Sequence, residues 1–215
     1  MRRASVTGSA GLLALALAAL LVHVAPPGSV SPEWRLLAKP VPVLCLAAAV
    51  LVGGRGPYAG GLGAGLLASA VGDVLLELPG RFLPGLFAFL LAHVAYLAAF
   101  LSVERRPRLA RALPFAAWAC AVYLLLLPGL RGLALPVAAY SLAIGAMLWR
   151  ASARVDPPLR WDGAWLAFAG ALLFGASDTL LALDRFRGPA PGARALVLPL
   201  YWLGQLGLAA SALRR

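Results

Sequence analysis

Eight long apolar runs follow one another along this chain, at about residues 8–25, 34–53, 58–77, 82–102, 109–127, 133–149, 163–183 and 195–213. Each approaches the ~20 residues that cross the hydrocarbon core of a bilayer as an α-helix. Only 13% of the residues are charged and 62% are hydrophobic, which leaves too little polar surface to cover a water-soluble globule. A soluble enzyme, a disordered chain and a disulfide scaffold are excluded on that ground. The expected fold class is all-α: a polytopic membrane protein of eight transmembrane helices, forming a single integral membrane domain over residues 1–215. Short connections such as Pro79-Gly80-Arg81 and Asp156-Pro157-Pro158 separate the runs with residues that break helices and carry turns. The first run follows Met1-Arg2-Arg3 and so can also be read as a cleaved signal peptide. His23 argues against cleavage ahead of Pro26, because it stands where a small residue is wanted.

The net charge of +11 comes from eighteen Arg and one Lys set against eight acidic residues. The arginines punctuate the apolar runs and form no basic stripe, so a nucleic-acid partner is not expected. Their distribution instead gives an orientation. With the N-terminus inside, twelve basic residues fall on the inner side and seven on the outer side. That bias predicts both termini in the cytoplasm and a bacterial-type inner or plasma membrane. Cys45, Cys120, His23 and His93 are too few and too scattered for a metal cluster, so no metal and no cofactor are expected. Both cysteines read as small core residues. Trp34, Trp149, Trp161, Trp165 and Trp202 lie near run ends and read as an interfacial aromatic belt.

Two segments of the chain repeat. Run three ends Gly72-Asp73-Val74-Leu75-Leu76-Glu77-Leu78, and run seven ends Ser177-Asp178-Thr179-Leu180-Leu181-Ala182-Leu183. Leu37-Ala38-Lys39-Pro40-Val41 in run two matches Leu133-Ala134-Leu135-Pro136-Val137 in run six. The order of these matches predicts a parallel duplication, with halves 1–104 and 105–215 related by an axis along the membrane normal. Asp73 and Asp178 then become symmetry mates at one depth.

Ionisable groups inside a span are costly, about 2.5–3.5 kcal/mol for Asp, Lys or Arg at the helix centre on insertion scales, and each is a site candidate. Here they are Asp73, Asp178, Lys39 and His93, joined by Tyr96, Tyr201 and Gln205. All fall in the outer half or the midplane. Gly61, Gly65, Ser69, Asp73 and Glu77 form one small-to-acidic stripe on run three, which therefore faces protein. Phe89, His93, Tyr96 and Phe100 form a stripe on run four. Structural roles stand beside functional ones at each position. The aspartates can be satisfied across helix contacts, Lys39 can snorkel to the interface, and the tyrosines can act only as interhelical hydrogen-bond partners. The expected arrangement is one polar cavity lined by both aspartates, with Lys39, His93, Tyr96, Tyr201 and Gln205 in its wall, continuing into an apolar channel.

Taken in order, Lys39-Pro40, Gly72-Asp73-x-Leu-Leu, Phe82-x-x-Gly85-x-x-x-Phe89-x-x-x-His93-x-x-Tyr96, Gly175-x-Ser177-Asp178 and Tyr201-x-x-x-Gln205 resemble the YhhN / lysoplasmalogenase family of integral membrane proteins. The resemblance implies an eight-helix membrane hydrolase that cleaves the vinyl-ether bond of lysoplasmalogens to a fatty aldehyde and a glycerophospho-alcohol. It implies Asp73 and Asp178 as catalytic residues. Lys39, His93, Tyr96, Ser177, Tyr201 and Gln205 would bind or orient the substrate, and the partners would be a lysophospholipid and membrane lipid.

The residues suit that chemistry. Vinyl-ether hydrolysis protonates the carbon beta to oxygen and passes through an oxocarbenium ion that water captures. It needs one protonated acid and one ionised base or charge stabiliser, which two carboxylates in different environments can supply. Spacing does not say which aspartate plays which part. Two other classes fit the same residues: a small transporter or channel with a midplane polar site, and a non-catalytic membrane protein whose polar groups only hold helices together.

Overall fold

A computed structural model describes residues 11–12, 14–22, 25–26, 28–156, 162–189 and 192–214. Helix α1 (Pro32–Ala38) and helix α2 (Val41–Gly53) together make one apolar span, followed by α3 (Gly56–Glu77) and α4 (Phe82–Val103). Beyond the connection come α5 (Leu113–Leu126), α6 (Ala134–Ser152), α7 (Gly163–Phe186) and α8 (Ala193–Leu213). Seven spans among the described residues are long and apolar enough to cross a membrane, and no strand occurs among them. They match seven of the eight apolar runs. In the first run, residues 11–12 and 14–22 are helical, while residues 1–10, 13, 23 and 24 lie outside the described residues, and with them the signal-peptide reading.

The exterior is apolar. Leu135, Leu142 and Leu203 are among many large aliphatic residues facing outward, while Ser69, Asp73, His93 and Gln205 are buried. That inversion suits a lipid solvent, in which polar groups are satisfied only from within the bundle. Cys45 is buried as expected, but Cys120 faces outward from α5.

Helix contacts concentrate in two close pairs, α3 with α4 and α7 with α8. Small residues permit both. A Cβ on Gly65 would stand 2.2 Å from the Tyr96 ring, and one on Gly72 would stand 2.6 Å from Phe89. Between α7 and α8, a Cβ on Gly170 would stand 2.7 Å from the Gly204 carbonyl oxygen. Without hydrophobic drive between helices in lipid, such backbone approach supplies the dispersion contact that holds them together. The two pairs dock through α2 on α8 and α4 on α6, and α2–α3 contacts are matched by α6–α7 contacts. Exchanging α2 with α6, α3 with α7 and α4 with α8 turns this set of neighbours into itself. Helix α5 leans mainly on α6 and stays largely exposed.

Pro40 and Pro42 interrupt the second span as the sequence predicts. Lys39 and Pro40 form a turn between α1 and α2, although their backbone angles remain right-handed. This is the effect of two missing N–H donors in one turn. At the opposite end of the bundle, arginines fasten the α4–α5 connection to the end of α6. Arg108 forks onto Asp156 at 2.5 and 3.0 Å, and Arg111 donates to the carbonyls of Ser152 and Val155. Arg150 is buried and donates to the carbonyls of Glu104, Arg106 and Pro107. Hydrogen bonding to Arg108 holds the Asp156 carboxyl below the usual carboxylate range.

Candidate active site

The polar side chains singled out from the sequence gather at two centres. Asp73 sits on α3 beside Gly72, in the small-residue stripe that packs on α4, and is buried. The Tyr201 hydroxyl, from α8, donates to its Oδ2 at 2.7 Å. Above it Lys39 pairs with Glu77 at 2.5 Å, at the rim.

The second centre is Asp178, on α7. The Tyr140 hydroxyl, from α6, donates to Asp178 Oδ2 at 2.6 Å. His93 Nε2 lies 3.3 Å from the same oxygen, at ion-pair distance but off the line of a hydrogen bond. His93 Nδ1 lies 2.6 Å from the Phe89 carbonyl oxygen, which can only accept. Nδ1 therefore carries a proton, and Nε2 faces a carboxylate oxygen inside a fully buried site. A proton placed on Nε2 or on the carboxyl would turn this contact into an ion pair or into a carboxylic acid facing the imidazole.

Between the centres lies packed aromatic matter. Phe174 is fully buried and stacks on His93 at 4.6 Å, and its ring is 5.5 Å from that of Tyr201. The Phe89 ring packs edge-on against Tyr201 at 5.8 Å. Deeper in the bundle, Tyr96 donates to Gln205 Oε1 at 2.7 Å, and Gln205 Nε2 donates to Ser69 at 3.0 Å. This buried chain ties α4, α8 and α3 together and touches neither carboxylate. Ser177 donates to the Val197 carbonyl at 2.7 Å and pins α7 to α8 instead of facing Asp178.

A narrow apolar pocket with a cavity volume of about 50 Å³ lies between α4, α5, α6 and α7. Asp178 and Tyr140 line it, with Phe89, Trp118 and Ile144 among the apolar walls. Asp73, Lys39, His93, Tyr96, Tyr201 and Gln205 do not. The single polar cavity expected from the sequence is thus replaced by two carboxylate centres and an apolar pocket that reaches one of them. The physical reason is desolvation. Two carboxylates sharing one open cavity in low dielectric repel each other. Here each takes a phenol donor and aromatic rings fill the space between. Tyr140 is the neighbour that sequence reading passed over. Its signal was a mid-span phenol in run six, which carries no motif beside it. Among the described residues, no three His, Cys, Asp or Glu side chains converge as metal ligands would.

Fold and site together define a polytopic membrane protein with an intramembrane carboxylate centre opening into an apolar pocket. The model of the YhhN family matches residues 34–212, and the chain belongs to that family. Human lysoplasmalogenase TMEM86B is 40% identical over 184 residues, covering 84% of this chain and 76% of that protein. Human lysoplasmalogenase TMEM86A is 38% identical over 200 residues, covering 86% and 80%. The lysoplasmalogenase of Mycobacterium tuberculosis is 32% identical over 209 residues, covering 90% and 77%. No solved structure matches the chain.

Proposed function

We propose that this protein is a membrane-embedded lysoplasmalogenase, in which the Asp178–His93 pair is the general acid and Asp73 is the second carboxylate. The observation that carries the reading is the pocket. It is apolar along its length, as an alkenyl chain requires, and Asp178 lies in its wall with a proton-bearing histidine behind it. The names of relatives at this identity supply the substrate class.

The steps follow from the groups present. The proton held by His93 and Asp178 passes to the vinyl carbon beta to oxygen, and the double-bond electrons form the new C–H bond. The ether oxygen lone pair stabilises the adjacent carbon as an oxocarbenium ion. Asp178 is now ionised beside it, and Asp73 stands as the second carboxylate behind the aromatic wall. Water adds to the carbon and gives its proton to the waiting carboxylate. The hemiacetal C–O bond then breaks as its hydroxyl gives up a proton and the glycerol oxygen takes one, releasing the aldehyde and the glycerophospho-alcohol. Tyr140 holds Asp178 in the wall, and Tyr201 holds Asp73. Tail binding comes from CH₂ burial, at ~0.8 kcal/mol each.

The halves 1–104 and 105–215 are read as a duplicated unit with the Arg108–Arg150 end in the cytoplasm. The self-matching helix contacts support the duplication, as do two pairs at one offset, Asp73 with Asp178 and Tyr96 with Tyr201, each 105 residues apart. The arginine bias supports the orientation. The test of function is aldehyde release from lysoplasmalogen by purified protein in detergent. Turnover without a sealed membrane or gradient is expected. Absence of aldehyde from folded protein would overturn the assignment.

A further inference from the structure

Arg185 lines the same pocket as Asp178, from the same helix. Seven residues separate them, so at ~1.5 Å of rise each they stand about 10 Å apart along α7. Seven residues also bring the helix back to within ~20° of the same face. One face of α7 therefore offers the pocket an acid in its depth and a guanidinium toward its mouth. The Arg185 guanidinium lies over the Phe82 ring at 4.8 Å, and no carboxylate pairs with it among the described residues. Phe82 also packs edge-on against Phe186, which fixes the platform beneath the charge. Lys39, another cation at this end, is paired with Glu77 and lies outside the pocket.

We infer that Arg185 is the phosphate-binding residue of the pocket, and that the Asp178–Arg185 spacing selects a substrate whose phosphate sits one glycerol unit from the bond to be cleaved. This rests on the lysoplasmalogenase reading of the pocket and deepens it. In a 1-alkenyl glycerophospholipid, about seven bonds join the carbon to be protonated to phosphorus. At the roughly 1.2 Å of extended length per bond that a polypeptide backbone gives, this spans about 8–9 Å. Hydrogen-bond reach at either end closes the remainder of the helix spacing. A guanidinium is suited to the purpose because its planar donor fork matches two phosphate oxygens. With the phosphate at Arg185, the vinyl ether reaches Asp178, and the chain beyond it continues toward Trp118 and Ile144, deeper along α5 and α6. A longer or shorter spacer would place the double bond off the acid.

Binding separates this inference from the activity. The probes are a 1-O-alkyl lysophosphoethanolamine, which has no vinyl ether to cleave, and the corresponding 1-O-alkylglycerol, which lacks the phosphate. Both are titrated into nanodisc-embedded wild type, Arg185→Gln, Arg185→Lys and, as a surface-charge control, Arg187→Gln. Wild type should bind the phospholipid at least tenfold more tightly than the alkylglycerol. Arg185→Gln should lower that ratio about tenfold, Arg185→Lys should recover part of it, and Arg187→Gln should leave it unchanged. The same variants are then compared for kcat/KM on lysoplasmalogen against 1-O-alkenylglycerol, where the ratio should move in parallel. If Arg185→Gln leaves the binding ratio at its wild-type value, or Arg187→Gln lowers it equally, Arg185 is not the phosphate residue. If the binding ratio falls but wild type releases no aldehyde, the phosphate site stands and the hydrolase reading fails.

Discussion

Replacing Asp178 by Asn tests the acid directly, and the geometry sets the size of each effect. Asp178 Oδ2 accepts from Tyr140 at 2.6 Å and faces His93 Nε2 at 3.3 Å. An amide nitrogen at that position donates to the His93 lone pair and to the Tyr140 oxygen, and leaves the phenol proton without an acceptor. An unsatisfied buried donor costs about 1–3 kcal/mol. Removing an ionisable group from the span returns up to roughly 2.5–3.5 kcal/mol. The two offset, so stability should change by less than about 2 kcal/mol. Catalysis has no such compensation. The amide neither gives nor holds the proton, and loss of a general acid costs about 10²–10⁴-fold, equivalent to roughly 3–5 kcal/mol in the barrier. The assay is aldehyde release by purified Asp178→Asn in detergent, with a melting curve on the same sample. A variant that melts like wild type and keeps more than about a tenth of its turnover would refute the role given to Asp178.

Asp73→Asn should also abolish turnover. Tyr201→Phe should cost less, because it removes one hydrogen bond worth about 0.5–1.5 kcal/mol net; initial rates of the two variants rank them. Gly65→Ala drives a methyl into the Tyr96 ring, with contacts of 2.2–2.7 Å before relaxation. Overpacking of this kind costs about 1–3 kcal/mol, so the melting temperature should fall while Gly56→Ala, with open space around it, reports backbone strain alone. The Arg108–Asp156 clasp should be fully formed at neutral pH. The folded Asp156 carboxyl titrates below its unfolded value of about 3.9, so the stabilisation is present above that pH and is lost as pH falls through the lower folded value. Hydrogen exchange in residues 104–111 should therefore stay protected to below about pH 4, and Asp156→Asn should remove that protection at neutral pH. EDTA should leave aldehyde release unchanged, since a proton relay through His93 and Asp178 requires no Lewis acid.

Sequence alone determined the seven described spans, their class and their inward faces. Each follows from local physics: a run of about 20 apolar residues has only one stable conformation in a bilayer, because every N–H and C=O pairs within the helix. The stripe from Gly65 through Ser69 to Asp73 was legible for the same reason, since helical periodicity puts residues four apart on one face. The Lys39-Pro40 interruption followed from proline's missing donor. Which residues meet across helices was decided only in three dimensions. Asp73 and Asp178 have equivalent sequence surroundings, yet only Asp178 opens to the pocket, because the Phe89 and Phe174 rings pack between the two centres. Tyr140 became the partner of Asp178 because α4 docks on α6 and α6 lies along α7, contacts set by how the two close helix pairs fit together. Lys39 met Glu77 at the rim, and Arg185 was left facing the pocket. These outcomes depend on crossing positions fixed by a few backbone contacts, such as Gly170 against Gly204. No periodicity within one helix encodes where another helix will cross it.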